Sequence, residues 1–129
     1  FYTRLKQYKE GFEIINKAIY YNPNNARLHY LLSSLYRKYN QPENCINSLK
    51  KSVFMAPDNI NYRFNLAQEY KNQGLYQQAV EQWEKCLEID QKHKQTLIAL
   101  NKIHNELRIS NYKYNNANKY KSAYMRLSN

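Results

Sequence analysis

The sequence predicts an all-α chain built as a stack of helix–turn–helix units. Three observations predict it. The chain resembles itself at a spacing of 34 residues: Leu66 falls over Leu32, Tyr70 over Tyr36, Trp83 over Leu49, Leu87 over Val53, Pro57 over Pro23 and Leu49 over Ile15. Within each copy the apolar residues return every three or four positions, the spacing of one helix face. Only 2 Gly and 3 Pro residues occur among 129, so little interrupts a helix. A period of this length with two helices per copy marks a repeat array, in which neighbouring units share a continuous core.

Taken in order, residues 1–6 are expected to be the last turns of a helix whose beginning is missing, so the chain starts partway through a repeat. Tyr8 to Asn22 form the next helix, with Tyr8, Phe12, Ile15, Ala18 and Ile19 on one face. Asn22-Pro23-Asn24-Asn25 ends it, because Pro has no N–H to continue the helix and Asn favours turns and caps. The second unit runs from Ala26 to Tyr39 and from Gln41 to Met55. Leu28, Leu31, Leu32, Leu35 and Tyr36 face inward from its first helix, and Ile46, Leu49, Val53 and Phe54 from its second. Pro42 suits a helix first turn. The third unit spans Asn59 to Gln91, turning at Asn72-Gln73-Gly74, where Gly74 can take the left-handed conformation. Ala67 and Ala79 occupy points where two backbones must approach closely, and Trp83 fills the space beside them. The fourth unit keeps Leu97, Leu100, Ile103, His104 and Leu107 at helical spacing, then decays. Asn111–Leu127 reads as a polar capping helix, with Ala117, Tyr120, Tyr124 and Leu127 as a thin stripe. The unit boundaries are placed at 1–24, 25–58, 59–92 and 93–129, within one array.

Composition narrows the function classes. A mean hydropathy of -0.93 is low for a chain that is 43% apolar, and its 14 Tyr residues reconcile the two figures, since Tyr buries a ring while scoring as polar. The net charge of +10 is uneven. Residues 1–90 carry 12 basic and 9 acidic side chains, against 8 and 1 in residues 91–129. Drift toward Lys, Asn, Tyr and Ile accounts for this; an acidic partner, nucleic acid or an anionic membrane is the alternative. Cys45 shares its column with Gly11 and Ala79, and Cys86 shares its own with Ala18 and Ser52, so both read as buried small hydrophobes. Such usage fits the cytoplasm or another reducing compartment. No run of 18 apolar residues spans a membrane.

The best-kept copy, YRFNLAQEYKNQGLYQQAVEQWEKCLEID, resembles the tetratricopeptide repeat family. The family's aromatic falls at Tyr70, its turn glycine at Gly74, and its small residues at Ala67, Ala79 and Cys86. The resemblance implies a right-handed α-solenoid whose first helices line a concave groove, and a non-catalytic scaffold or adaptor that holds a peptide segment or subunit there. Carried over, the groove residues are Arg27, Tyr30, Ser34, Arg37 and Lys38; then Asn61, Phe64, Gln68, Lys71 and Asn72; then Gln95, Ile98, Lys102 and Asn105. Tyr30, Phe64 and Ile98 recur at the repeat spacing and align into an apolar ridge flanked by cations, which suits a partner with acidic and apolar residues. The bland alternative is that Tyr30 and Phe64 pack against neighbouring helices.

Other chemistry finds little support. A clamp for the acidic C-terminus of a heat-shock chaperone finds its middle asparagine at Asn65 but needs Lys and Arg where Gln95 and Ala99 stand; read one unit earlier, it needs Lys and Asn where Tyr30 and Ser34 stand. No two of His29, His93 and His104 are spaced as metal ligands on one helix, and two glycines cannot build a phosphate cradle. The chain is therefore expected to have no cofactor, metal or catalytic site of its own. One alternative makes it the targeting region of a larger enzyme. A lesser one is nucleic-acid binding through Lys113, Lys119, Lys121 and Arg126, where cations interleave with tyrosines.

Overall fold

The computed structural model describes residues 2–109. Six helices follow one another there without a strand: α1 (Tyr2–Tyr21), α2 (Ala26–Lys38), α3 (Pro42–Met55), α4 (Ile60–Asn72), α5 (Tyr76–Ile89) and α6 (Lys94–Ile109). Each packs on its neighbours in sequence, most closely α2 with α3 and α4 with α5. The result is an α-solenoid. The expected cap at Asn111–Leu127 lies outside the described residues.

The turns repeat as strictly as the helices. Asn40 and Gly74, which share a column, both adopt left-handed backbone, with φ of 58° and 78°. After each the chain closes the preceding helix in the same way. Gln41 N–H donates to Tyr36 O at 2.9 Å and Leu75 N–H to Tyr70 O at 2.8 Å. Asn40 and Gly74 N–H reach the carbonyls of Arg37 and Lys71. This pair of bonds is a Schellman motif, which satisfies carbonyls that a helix end leaves open. Between units, Asn25 and Asn59 cap the next first helix. The Asn25 side chain accepts from the N–H of Arg27 and Leu28, and that of Asn59 from the N–H of Tyr62.

The core runs between the helix pairs as one cluster from Cys45 and Leu49 through Leu66, Tyr70 and Val80 to Leu100 and Leu107. Ala67, Ala79 and Trp83 are 0% exposed at its centre. Small residues let α4 and α5 close up, and the indole occupies the volume beside them.

Three expectations are corrected. First, α1 is unbroken from Tyr2 to Tyr21, where two helices were expected with a boundary near residue 7. No Pro stands between them, and a single Gly costs a helix only about 1 kcal/mol. Second, Phe54, expected inward, is 86% exposed. Cys45, Leu49, Ser52 and Val53 are the buried face of α3, and one step beyond Val53 turns Phe54 about 100° away from it. Third, Leu31 is exposed on α2, while His29, Leu32 and Ser33 are buried.

Trp83→Ala is expected to destabilise the array by about 3–5 kcal/mol through lost burial and a cavity. Asn59→Ala is expected to remove only about 1 kcal/mol of capping. Urea unfolding followed by circular dichroism measures both, and equal losses would displace Trp83 from the centre of the core.

Candidate partner-binding face

The first helices α2, α4 and α6 carry the residues expected to line a groove. On α2, Arg27, Arg37 and Lys38 are exposed, and Tyr30 and Ser34 are half-buried. On α4, Asn61 and Asn72 are exposed, whereas Phe64, Gln68 and Lys71 are half-buried. On α6, Gln95, Ile98, Lys102 and Asn105 are exposed. Lys113, Lys119, Lys121 and Arg126, the second basic surface, lie outside the described residues.

Several of these side chains are engaged within the array. Tyr30 stacks on Tyr62 of α4 with ring centroids 5.0 Å apart and planes 28° from parallel. Phe64 meets His93 edge-on at 5.9 Å and Trp83 at 6.4 Å. His93 in turn lies 2.6 Å from the Thr96 hydroxyl, through its Nδ1. The three expected ridge residues are thus graded: Tyr30 and Phe64 each present part of a ring, and Ile98, 43% exposed, is the freest of the three. Lys38 extends over the Tyr39 ring, its Nζ 5.6 Å from the centroid. The Asn61 carbonyl accepts from the Asn65 side chain at 2.7 Å.

Arg37 has a partner that sequence reasoning passed over. Its Nε–H donates to Glu69 Oε1 at 2.6 Å, and the carboxylate is nearly buried, its side chain 7% exposed against 42% for Arg37. The pair ties α2 to α4 on the same face as the Tyr30–Tyr62 stack. A signal was present. Glu69 shares its column with Leu35 and Ile103, and a lone carboxylate in an apolar column asks for a cation.

Cys45 sits under this pair. Burial pushes its thiol up to about 11; the Glu69 carboxylate adds to the rise, and Arg37 works against it. Burial likewise pushes the Cys86 thiol up to about 11, opposed by Thr96 and Arg63. At neutral pH both are protonated, and a thiol is a poor nucleophile beside a thiolate. Among the described residues no group of three or more His, Cys, Asp or Glu is placed to hold a metal. No helix of the described residues is long and apolar enough to cross a membrane.

A family model described as tetratricopeptide repeat matches residues 1–25, 26–59 and 60–93. Among solved structures, a crystal structure of MamA superposes with a TM-score of 0.75 at 17% identity, over 97% of this chain and 71% of that one. MamA from Desulfovibrio magneticus RS-1 matches with a TM-score of 0.63 at 26% identity, over 70% of this chain and 51% of its own. YrrB, described as a TPR protein with an unusual peptide-binding site, gives 0.68 at 21% identity, over 92% and 59%. The chain therefore spans between half and about seven-tenths of these structures' lengths. No curated protein matches in sequence.

Two outcomes are expected. Arg37→Met, which strands Glu69, is expected to cost about 1–2 kcal/mol, discounted because Arg37 is partly exposed. Arg37→Met/Glu69→Leu is expected to recover most of it, since Leu35 and Ile103 show that the column accepts an apolar side chain. Denaturant titration of the single and double variants reads this directly.

The second concerns pH. The unfolded chain releases its thiol protons near the ordinary 9.0, and the folded chain near 11. This contribution to stability is complete below about pH 9 and is lost as pH climbs toward 11. A Cys45→Ala/Cys86→Ala variant should show a shallower loss over that window in the same titration.

Proposed function

Since the chain belongs to the tetratricopeptide repeat family, a family of protein–protein interaction scaffolds that are generally non-catalytic, we propose that it holds a segment of another protein. The segment lies on the face of α2, α4 and α6, and the array serves as an adaptor within an assembly. The observation that carries this reading is the arrangement of that face. Ile98 is exposed with Lys102 one turn beyond it, and Arg27 and Lys38 are exposed on α2. Tyr30 and Phe64 contribute the open parts of their rings. Apolar contact from the ridge would supply affinity, and the cations would steer and pair with acidic residues of the partner. Arg37, already bonded to Glu69 through Nε, still has guanidinium N–H groups to offer. The peptide-binding site described for YrrB is a precedent for a segment docking on such an array.

The test is affinity capture from native extract after nuclease treatment, with wild type and an Ile98→Ser/Lys102→Glu variant. Both side chains are exposed, so the variant is expected to keep the wild-type melting temperature. A defined protein retained by wild type and at least about tenfold depleted on the variant is the expected result. Equal retention by both would remove this face as the site.

A further inference from the structure

We infer that the depression between α3 and α5 is a second docking site. Its occupant is a short peptide segment carrying an apolar side chain next to a carboxylate. The depression has a volume of about 470 Å³, with Lys50 and Phe54 on the α3 wall, Lys85 on the α5 wall, and Arg63, Leu66 and Tyr70 from α4 as its floor. That is the size of clefts that accept small ligands and single anchoring side chains.

Phe54 supplies the apolar half of the site. It is 86% exposed at the edge of a floor that includes Leu66. A ring left in water beside an open apolar depression has area to gain from an inserted side chain.

Arg63 supplies the polar half. Its column neighbours His29 and Leu97 are buried, yet Arg63 is only half-buried and lines the opening. The guanidinium is held in place by neutral acceptors: Nε–H donates to Pro57 O at 2.7 Å and Nη1–H to Gln82 Oε1 at 3.1 Å. Among the described residues it has no carboxylate partner. Two of its five N–H groups are thus used, and three remain. A fork already fixed in position loses little freedom on taking a carboxylate.

Charge selects the class of occupant. Lys50, Arg63 and Lys85 line the depression, and among the described residues no carboxylate does. Past Arg63 and Lys85, however, the adjoining depression is lined by Asp58 and Glu88. A polyanion running along the groove, such as a nucleic acid, would meet those carboxylates; a peptide with one short acidic stretch avoids them. The site is also independent of the face proposed above. At about 100° per residue, Arg63, Leu66 and Tyr70 lie roughly opposite Asn61, Phe64 and Gln68 on α4, so both faces can be occupied at once.

The test begins with selection from a random displayed peptide library on the whole chain, followed by fluorescence anisotropy of the consensus peptide. Phe54→Ser and Lys85→Glu change exposed side chains, so the array should stay folded, as circular dichroism checks. The expected consensus places Asp or Glu beside a large apolar residue. Its Kd should rise about tenfold in each variant and stay unchanged in Ile98→Ser/Lys102→Glu. A selection without such a consensus, or a consensus peptide indifferent to Phe54→Ser and Lys85→Glu, would overturn the proposal. So would a single-stranded oligonucleotide that binds as tightly and is lost in the same variants, because the depression would then be a phosphate-binding surface.

Discussion

Everything in this array depends on the close approach of α4 and α5 at Ala67 and Ala79. A pair of helices thirteen and fourteen residues long is too short to be stable alone. It persists because each helix buries apolar surface on both its partner and the adjacent unit. The methyl side chains of Ala67 and Ala79, both 0% exposed, allow the approach, and Trp83 closes the volume beside them. Once that contact exists, Leu66, Tyr70 and Leu87 have a surface to pack on. The neighbouring units then extend the same cluster to Leu49 on one side and Ile103 on the other.

Successive first helices are joined by a different kind of contact. Tyr30 stacks on Tyr62, and Arg37 pairs with Glu69; each partner lies 32 residues further along, just short of one repeat. These lateral links set the spacing of α2 and α4, and with it the width of the face where a partner would lie. They also divide the candidate residues by availability. Ile98 and Lys102 are open, whereas Tyr30, Phe64 and Arg37 have part of their surface or donors committed to the array. Under the proposed reading, binding and cohesion would draw on the same side chains, so a partner that displaced Tyr30 from Tyr62 would loosen the stack as it bound.

α4 is the element that carries both proposed faces. One carries Asn61, Phe64 and Gln68 toward the row of first helices. The other carries Arg63 into the depression between α3 and α5. Glu69 and Arg63 are the departures from the repeat that matter most: Arg63 puts a charge in a column with the buried His29 and Leu97, and Glu69 puts one in an apolar column with Leu35 and Ile103. Glu69 is neutralised inside the chain, and among the described residues Arg63 is bonded only to neutral acceptors. The difference makes one charge structural and the other available.

By itself the sequence determined the order of helices α2 to α6, the turns between them and most of the core. A period of 34 residues constrains each position several times over. Asn40 and Gly74 could be matched as turn residues, and Ala67, Ala79 and Trp83 as the packing centre, before any geometry was known. Periodicity states which side of a helix a residue is on, within the width of a stripe; it does not state where the stripe's edge falls. Hence Phe54 and Leu31, at the margin of their stripes, read as inward and lie outside. Nor can a column reveal contacts between columns. The stack of Tyr30 on Tyr62, the bond from Arg37 to Glu69 and the seating of Arg63 against Pro57 and Gln82 all depend on the rotation and offset of one unit on the next. That offset is set by the summed packing of many side chains. Only the tertiary structure decides it, and with it which surface residues are free to meet a partner.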